Sequence, residues 1–126
     1  MLPVIVGHTP AGASTKQLLH YSQEVVSGKF RQYDYGFLGN LKQYGTSKPP
    51  EYDLSKANVP IALHYSRNDW MAAEEDVERL AKELPNVIGL FRVKFDKFNH
   101  LDYMWAIDIN PLLNDRVVDL MNRFEN

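Results

Sequence analysis

Two apolar stretches, each followed by a polar loop with one titratable side chain, most constrain how this chain folds. Residues 59–65 and 87–95 are rich in apolar, β-branched and aromatic residues, as in strands buried on both faces. Asp69 follows the first stretch and His100 follows the second. Between them, residues 74–84 carry apolar side chains at helical spacing after an acidic first turn. The sequence therefore predicts an α/β fold built on a βαβ unit, with two parallel strands and a right-handed crossover.

The two polar loops are predicted to lie at the same edge of the sheet. The carboxyl ends of neighbouring parallel strands meet at one edge, and open α/β sheets bind their ligands there. We therefore expect the Asp69 carboxylate and the His100 imidazole to converge. An aspartate that accepts the imidazole N–H fixes the tautomer and stabilises the imidazolium that forms when a nucleophile is deprotonated. Simpler roles stay open, since Asp69 can cap the next helix and His100 can bond a backbone carbonyl.

The remaining chain divides into an irregular first part and a helical end. The apolar residues 2–6 fit a short strand or an extended entry, and a helix is predicted from Ser14 to a stop at Gly28. Residues 30–53 scatter aromatic side chains among glycines and prolines, so we expect an irregular segment there. It is either a functional insertion or domain junction, or a surface loop with a few anchoring rings. Short helices are predicted after the histidine loop and after Asn110-Pro111.

Composition narrows the function classes. The chain has 126 residues, a net charge of −2 and no cysteine, which excludes a disulfide framework and a thiolate nucleophile. Lys and Arg form no block or stripe, so we expect no nucleic-acid partner. No apolar run reaches the length of a membrane span, so no transmembrane segment is predicted. The four histidines show no His-x-x-x-His spacing, and we expect neither a metal site nor a cofactor.

A nucleophile for the expected Asp–His pair is missing from the sequence. No Gly-x-Ser-x-Gly motif occurs in the 126 residues, and that motif is what exposes the serine of an α/β-hydrolase. Ser14 is better explained as a helix cap, and Ser66 lies in the acid loop itself.

Eight short stretches, in order and spread over nearly the whole chain, resemble the animal acid lipase family, which includes gastric lipase, lysosomal acid lipase and the insect lipases. They are His8-Thr9-Pro10-Ala11-Gly12-Ala13-Ser14, Ser27-Gly28-Lys29-Phe30, Tyr33-Asp34-Tyr35-Gly36, Pro49-Pro50-Glu51-Tyr52, Asn58-Val59-Pro60-Ile61-Ala62, Asn68-Asp69, Leu84-Pro85-Asn86 and Phe98-Asn99-His100-Leu101-Asp102-Tyr103-Met104-Trp105. Each stretch is short, and the resemblance rests on all of them together.

The resemblance implies a partial α/β-hydrolase fold. Residues 51–126 would be the C-terminal βαβα part of the parallel sheet, and residues 1–50 the tail of the helical cap. It implies hydrolysis of lipid esters, such as triacylglycerols or cholesteryl esters, at a lipid–water interface. The acid and histidine of the family's triad fall at the positions of Asp69 and His100.

The family's serine and oxyanion loop lie in an N-terminal part that these residues do not contain. We therefore expect that part of the same hydrolase as a partner, and no turnover by the 126 residues alone. Because family members are secreted or lysosomal, the same is expected of the full-length protein. Two alternatives stay open: a non-catalytic lipid-binding or interaction module with residues 30–52 as its contact surface, and a hydrolase that acts on non-lipid esters.

Overall fold

The structure, a computed structural model, describes residues 2–9 and 11–124, so Pro10 of the first family-like stretch lies outside the described residues. The helices and strands in chain order are α1 (Leu2–His8), α2 (Thr15–Ser27), α3 (Gly36–Tyr44), β1 (Ile61–Tyr65), α4 (Glu74–Glu83), β2 (Val87–Arg92), α5 (Asp102–Trp105) and α6 (Asp115–Asn122). A 3₁₀ turn at Leu54–Lys56 precedes β1, and a π-helical turn at Asn110–Asn114 precedes α6. The chain forms two compact units, one ending at Asp53 and the other beginning at Leu54.

The predicted βαβ unit is present in the second compact unit. Strands β1 and β2 pair in parallel, with Leu63 opposite Leu90, and α4 connects them. The pairing continues past the strand ends, where the Val93 N–H donates to the Tyr65 carbonyl at 2.8 Å. The apolar residues from which α4 was predicted form the less exposed side of the helix, and the helix packs on β1. The mixed helix-and-strand class and the parallel pairing of the prediction are thereby confirmed.

The predicted burial of the strands on both faces is wrong for this chain. Every residue of β1 is half-buried, and β2 alternates between half-buried and exposed positions. Ile88 and Leu90 of β2 are 40% and 43% exposed. A sheet with two described strands is too small to enclose either of them, although their composition is that of strands inside a larger sheet.

Two expectations for the first unit are also wrong. Residues 2–6, expected as a strand or an extended entry, lie in helix α1, because a short apolar run has no periodicity that separates the two and Pro3 is tolerated in a first helical turn. Within residues 30–53, which were expected to be irregular, α3 forms a nine-residue helix. Its apolar residues Phe37 and Leu38 are 64% and 78% exposed, so the helix carries no clear buried face for a pattern to reveal.

The ends of the segment around α3 are tied together by backbone hydrogen bonds. Arg31 and Glu51 form an antiparallel bridge, the Gln32 N–H donates to the Pro50 carbonyl at 2.9 Å, and the Tyr52 N–H donates to the Phe30 carbonyl at 3.0 Å. The segment is therefore an ordered loop that closes around a helix.

The best-buried side chains of the second unit gather at the carboxyl ends of β1 and β2. Ser66 and Asp69 follow β1, while Val93 and Phe98 follow β2, and all four are 6% exposed or less. The site predicted from sequence thus lies at the most tightly packed place in this unit. In the two described ranges, no helix combines the length and apolar character needed to cross a membrane.

Candidate active site

The loop after β1 holds Asp69 with one carboxylate oxygen. Asp69 Oδ1 accepts hydrogen bonds from the backbone N–H groups of Met71 and Ala72, each at 2.9 Å. The residue is 6% exposed. Helix α4 begins later, at Glu74, so this contact fixes the loop ahead of the helix. The helix-capping role that the sequence left open for Asp69 is not taken, because the N-cap of α4 is Ala73 and has no side-chain hydrogen bond. Oδ1 holds the loop instead, and the second oxygen is available to another partner.

The loop after β2 is fixed by two hydrogen bonds of Asn99, the residue before His100. The Asn99 side-chain oxygen accepts from the Leu101 N–H at 2.9 Å, and the Asp102 carboxylate accepts from the Asn99 N–H at 2.8 Å. These bonds hold the turn ahead of α5, whose own N-cap, Leu101, has no side-chain cap hydrogen bond. Phe98 is 1% exposed and packs edge-on against the Tyr103 ring, with 4.8 Å between the ring centroids, which anchors the loop in the core.

The two loops bring Asp69 and His100 together. His100 Nδ1 lies 3.0 Å from Asp69 Oδ2, and the two side chains are 42% and 4% exposed. The buried carboxylate holds one ring nitrogen, so Nε2 is the nitrogen left to exchange a proton with a substrate or a nucleophile. This arrangement of a buried acid and a half-exposed imidazole matches the role of the acid and base in a hydrolase triad.

Electrostatics keep the acid ionised. Burial acts to raise the pKa of the Asp69 carboxyl, but hydrogen bonds from the Ala72 N–H, the imidazole and the Met71 N–H outweigh it and hold the pKa below its usual range. The ionised carboxylate can therefore stabilise a positive charge on His100. Burial also raises the pKa of the nearby Tyr103 hydroxyl, so Tyr103 stays neutral.

Three other residues considered from the sequence, His20, His64 and Ser66, have surroundings that explain them without catalysis. His20 Nε2 bonds the Arg31 carbonyl at 2.8 Å in the first unit. His64 stacks on the Phe91 ring at 5.1 Å, and burial lowers the pKa of its imidazole. Ser66 lies in the acid loop but is fully buried, which rules it out as an exposed nucleophile. Among the residues that the structure describes, no three acids or histidines gather closely enough to hold a metal ion.

Sequence reasoning missed a link between the two loops. The Asn68 side-chain amide donates to the Lys97 carbonyl at 2.9 Å, one residue before the acid and three before the histidine. In the sequence, Asn68 is visible only as an amide side chain directly before the acid, and no motif marks it as a cross-loop donor.

Comparison with known proteins places the chain among lipases. It is 42% identical to Lipase 3 of Drosophila melanogaster over 125 residues, which is 99% of this chain and 32% of that protein. It is 38% identical to the gastric triacylglycerol lipase of Homo sapiens over 122 residues, and 32% identical to the human lysosomal acid lipase/cholesteryl ester hydrolase over 123 residues. The latter two matches cover 96% and 97% of this chain and 30% of each relative.

The chain thus spans about a third of the length of the curated relatives that it matches. No protein-family model matches it. The identity nevertheless runs through nearly all of its residues, in insect, gastric and lysosomal relatives alike. Over nearly its whole length, the chain is homologous to part of the animal acid lipases.

Proposed function

We propose that the protein carrying this chain hydrolyses lipid esters by serine-type acyl transfer, with Asp69 and His100 as the acid and base of the triad. The observation that carries the proposal is the 3.0 Å contact between the two side chains on loops at the carboxyl ends of adjacent parallel strands. The names of the relatives supply the substrate class, triacylglycerols or cholesteryl esters. Such substrates are met at a lipid–water interface.

The proposed reaction assigns one proton path. His100 Nε2 takes the proton of a serine hydroxyl as the oxygen attacks the ester carbonyl, and then delivers it to the leaving alcohol. A water molecule repeats the sequence on the acyl-enzyme. Asp69 keeps the proton on Nδ1 between these steps and stabilises the imidazolium each time it forms.

The nucleophile and the oxyanion donors are proposed to come from the N-terminal part of the same hydrolase. The sequence has no Gly-x-Ser-x-Gly motif, and β1 is an apolar strand that stays half-exposed beside its one described neighbour. A further parallel strand would pair with the open edge of β1 and bring a serine loop to the same rim of the sheet as Asp69 and His100. On this proposal residues 1–50 are the tail of the cap, and the full-length protein is secreted or lysosomal, like its gastric and lysosomal relatives.

Hydrolysis of a chromogenic short-chain ester tests the proposal. In the full-length protein, His100→Ala should lower kcat by about 10⁴- to 10⁶-fold, as expected for loss of a triad member. The 126-residue chain alone should show no turnover above background. Turnover by this chain that disappears in His100→Ala would refute the proposed external serine, and full activity of the full-length variant would refute the role of His100.

A non-catalytic lipid-binding module is the second candidate. Exposed rings in the first unit favour it, since Phe30 and Tyr52, which contact each other at 4.7 Å, are 52% and 42% exposed. Binding to triolein emulsions by a full-length protein that shows no turnover in the ester assay would support this alternative.

A further inference from the structure

The acid loop and the histidine loop are each rigid, but their separation needs its own restraint. The contacts from Asp69 Oδ1 hold the first loop, and the Asn99–Asp102 pair holds the second. Neither set of bonds crosses between the loops. A triad must hold its geometry to within about 0.5 Å, so a rigid-body shift of one loop would weaken the Asp69–His100 contact without disturbing either loop internally.

The Asn68 side chain makes such a cross-loop contact. Its Nδ2 donates to the Lys97 carbonyl at 2.9 Å, beyond the last backbone bond of the sheet, from Val93 to Tyr65. These two bonds and the Asp69–His100 contact are three successive contacts between the loops, beginning at the end of the sheet.

Neither burial nor backbone conformation explains an asparagine at this position. Asn68 is exposed, so its side chain contributes little to packing. Its φ is not positive, because among the described residues only glycines have positive φ, so the tolerance of asparagine for the left-handed region is not used. What remains specific to the side chain is the amide donor.

We propose that Asn68 is a positioning residue that holds the acid and histidine loops at the separation required by the Asp69–His100 hydrogen bond. The inference rests on the proposed function for its effect on turnover. Its effect on the hydrogen bond itself does not depend on which reaction the pair performs.

The same sheet offers a matched control at its opposite end. Asn86, also exposed, donates its side-chain amide to the Asn58 carbonyl at 3.0 Å, across the entrances to β2 and β1. The two tethers use the same groups, at nearly the same separation in sequence, on the same pair of strands. Asn86→Ala therefore measures the structural cost of losing a strand-end tether away from the catalytic pair.

The experiment compares Asn68→Ala and Asn86→Ala in the full-length protein. In Asn68→Ala, solvent exchange of the His100 Nδ1 proton, followed by NMR of ¹⁵N-histidine-labelled protein, should rise about fivefold, the equilibrium factor of one ordinary hydrogen bond. The kcat on a soluble ester should fall by about fivefold with KM unchanged, because the substitution acts through the Asp69–His100 contact. Asn86→Ala should leave both quantities at wild-type values, and Asn68→Gln, which keeps an amide donor, should recover part of both.

Equal effects of the two alanine variants on proton exchange, or a change in Asn68→Ala confined to melting temperature, would overturn the proposal. Should Asn68→Ala fail to fold, Asn68→Leu replaces it, since it roughly keeps the size of the side chain, loses the donor and adds no charge beside Asp69. If the wild-type protein hydrolyses no ester, the proposed function fails, and the exchange measurement still decides whether Asn68 positions the pair.

Discussion

At the scale of single residues, the Asp69 carboxylate has two tasks, one for each oxygen. Oδ1 accepts the Met71 and Ala72 N–H groups and so shapes the loop, while Oδ2 faces His100 Nδ1. A substitution that keeps the first contact and alters the second separates folding from catalysis.

Asp69→Asn is that substitution. The amide oxygen can still accept from the loop N–H groups, but the amide nitrogen facing His100 Nδ1 favours the wrong tautomer. We expect a folded full-length protein whose kcat is lower by roughly 10⁴-fold, as for the corresponding change in a Ser-His-Asp triad. Asp76→Asn, at a 62%-exposed carboxylate paired with Arg79 on α4, is the control and should keep wild-type turnover. A folded Asp69→Asn protein with near-normal kcat on the chromogenic ester would contradict the assignment.

The depressed pKa of Asp69 makes its contribution to stability depend on pH. Because the folded-state pKa lies below the usual carboxyl value, the fold favours the ionised form. That stabilisation is complete above the usual pKa and is lost as the pH falls through the folded-state pKa. Urea midpoints measured from neutral to acid pH should therefore drop less steeply for Asp69→Asn than for wild type. Parallel profiles for the two proteins would show that Asp69 contributes nothing to acid unfolding.

At the scale of elements, α3 is held by a buried asparagine rather than by an apolar face. Asn40 is 1% exposed, and its Oδ1 accepts from the Tyr35 N–H at 2.9 Å. Its Nδ2 donates to Asp34 Oδ1 at 2.8 Å and to the Ser47 carbonyl at 3.2 Å. One amide thus joins the start of the helix to the chain that leaves it.

Asn40→Ala should lower the free energy of unfolding by about 2–3 kcal/mol, because it leaves buried polar groups without partners. The matched control is Asn114→Ala, which removes an exposed amide contact to Asn110 at 2.9 Å and should cost less than about 0.5 kcal/mol. Urea unfolding followed by circular dichroism measures both values. Similar losses in the two variants would mean that the Asn40 network does not hold the first unit together.

These elements also show what a sequence can predict. Helix α4 follows from Val77, Leu80 and Ala81 at helical spacing behind an acidic turn, because its packing against β1 imposes that period. Helix α3 has no comparable apolar pattern. Gly39, within the helix, is explained by a close approach, because a Cβ there would lie 2.5 Å from the Tyr35 Cβ. The nine residues of α3 are specified by a close approach and a polar network, which have no period.

The candidate site divides in the same way. The convergence of Asp69 and His100 was predicted because each follows a strand of recognisable composition, and parallel strands bring their ends together. The Asn68 tether was not predicted, because a single hydrogen bond from an exposed side chain to a carbonyl 29 positions away depends on coordinates alone. The catalytic roles of the pair remain predictions for the kinetic experiments.

At the scale of the whole molecule, far more of the apolar side chains are exposed than are buried in a core. Hydrophobic residues make up 44% of the sequence, yet among the described residues the buried hydrophobic side chains are Val93 and Phe98. Next to Asp69 and His100, Trp70 is 83% exposed and Leu101 is 52% exposed. On the proposed function, the rest of the hydrolase and the lipid substrate would cover such surfaces.

The open edge of β1 gives the last prediction. In the part of the chain that the structure describes, β1 pairs with β2 on one edge and with no strand on the other. Such an edge is a template for pairing with another chain, so the isolated 126-residue chain should self-associate as its concentration rises. Val59→Lys places a charge just before β1, at a position 67% exposed, and should reduce association in size-exclusion chromatography with light scattering. Val118→Lys makes the same chemical change at a 53%-exposed position on α6 and should not. Since both variants shift the net charge equally, equal suppression would trace association to general charge or hydrophobicity, and a difference between them would trace it to the strand edge.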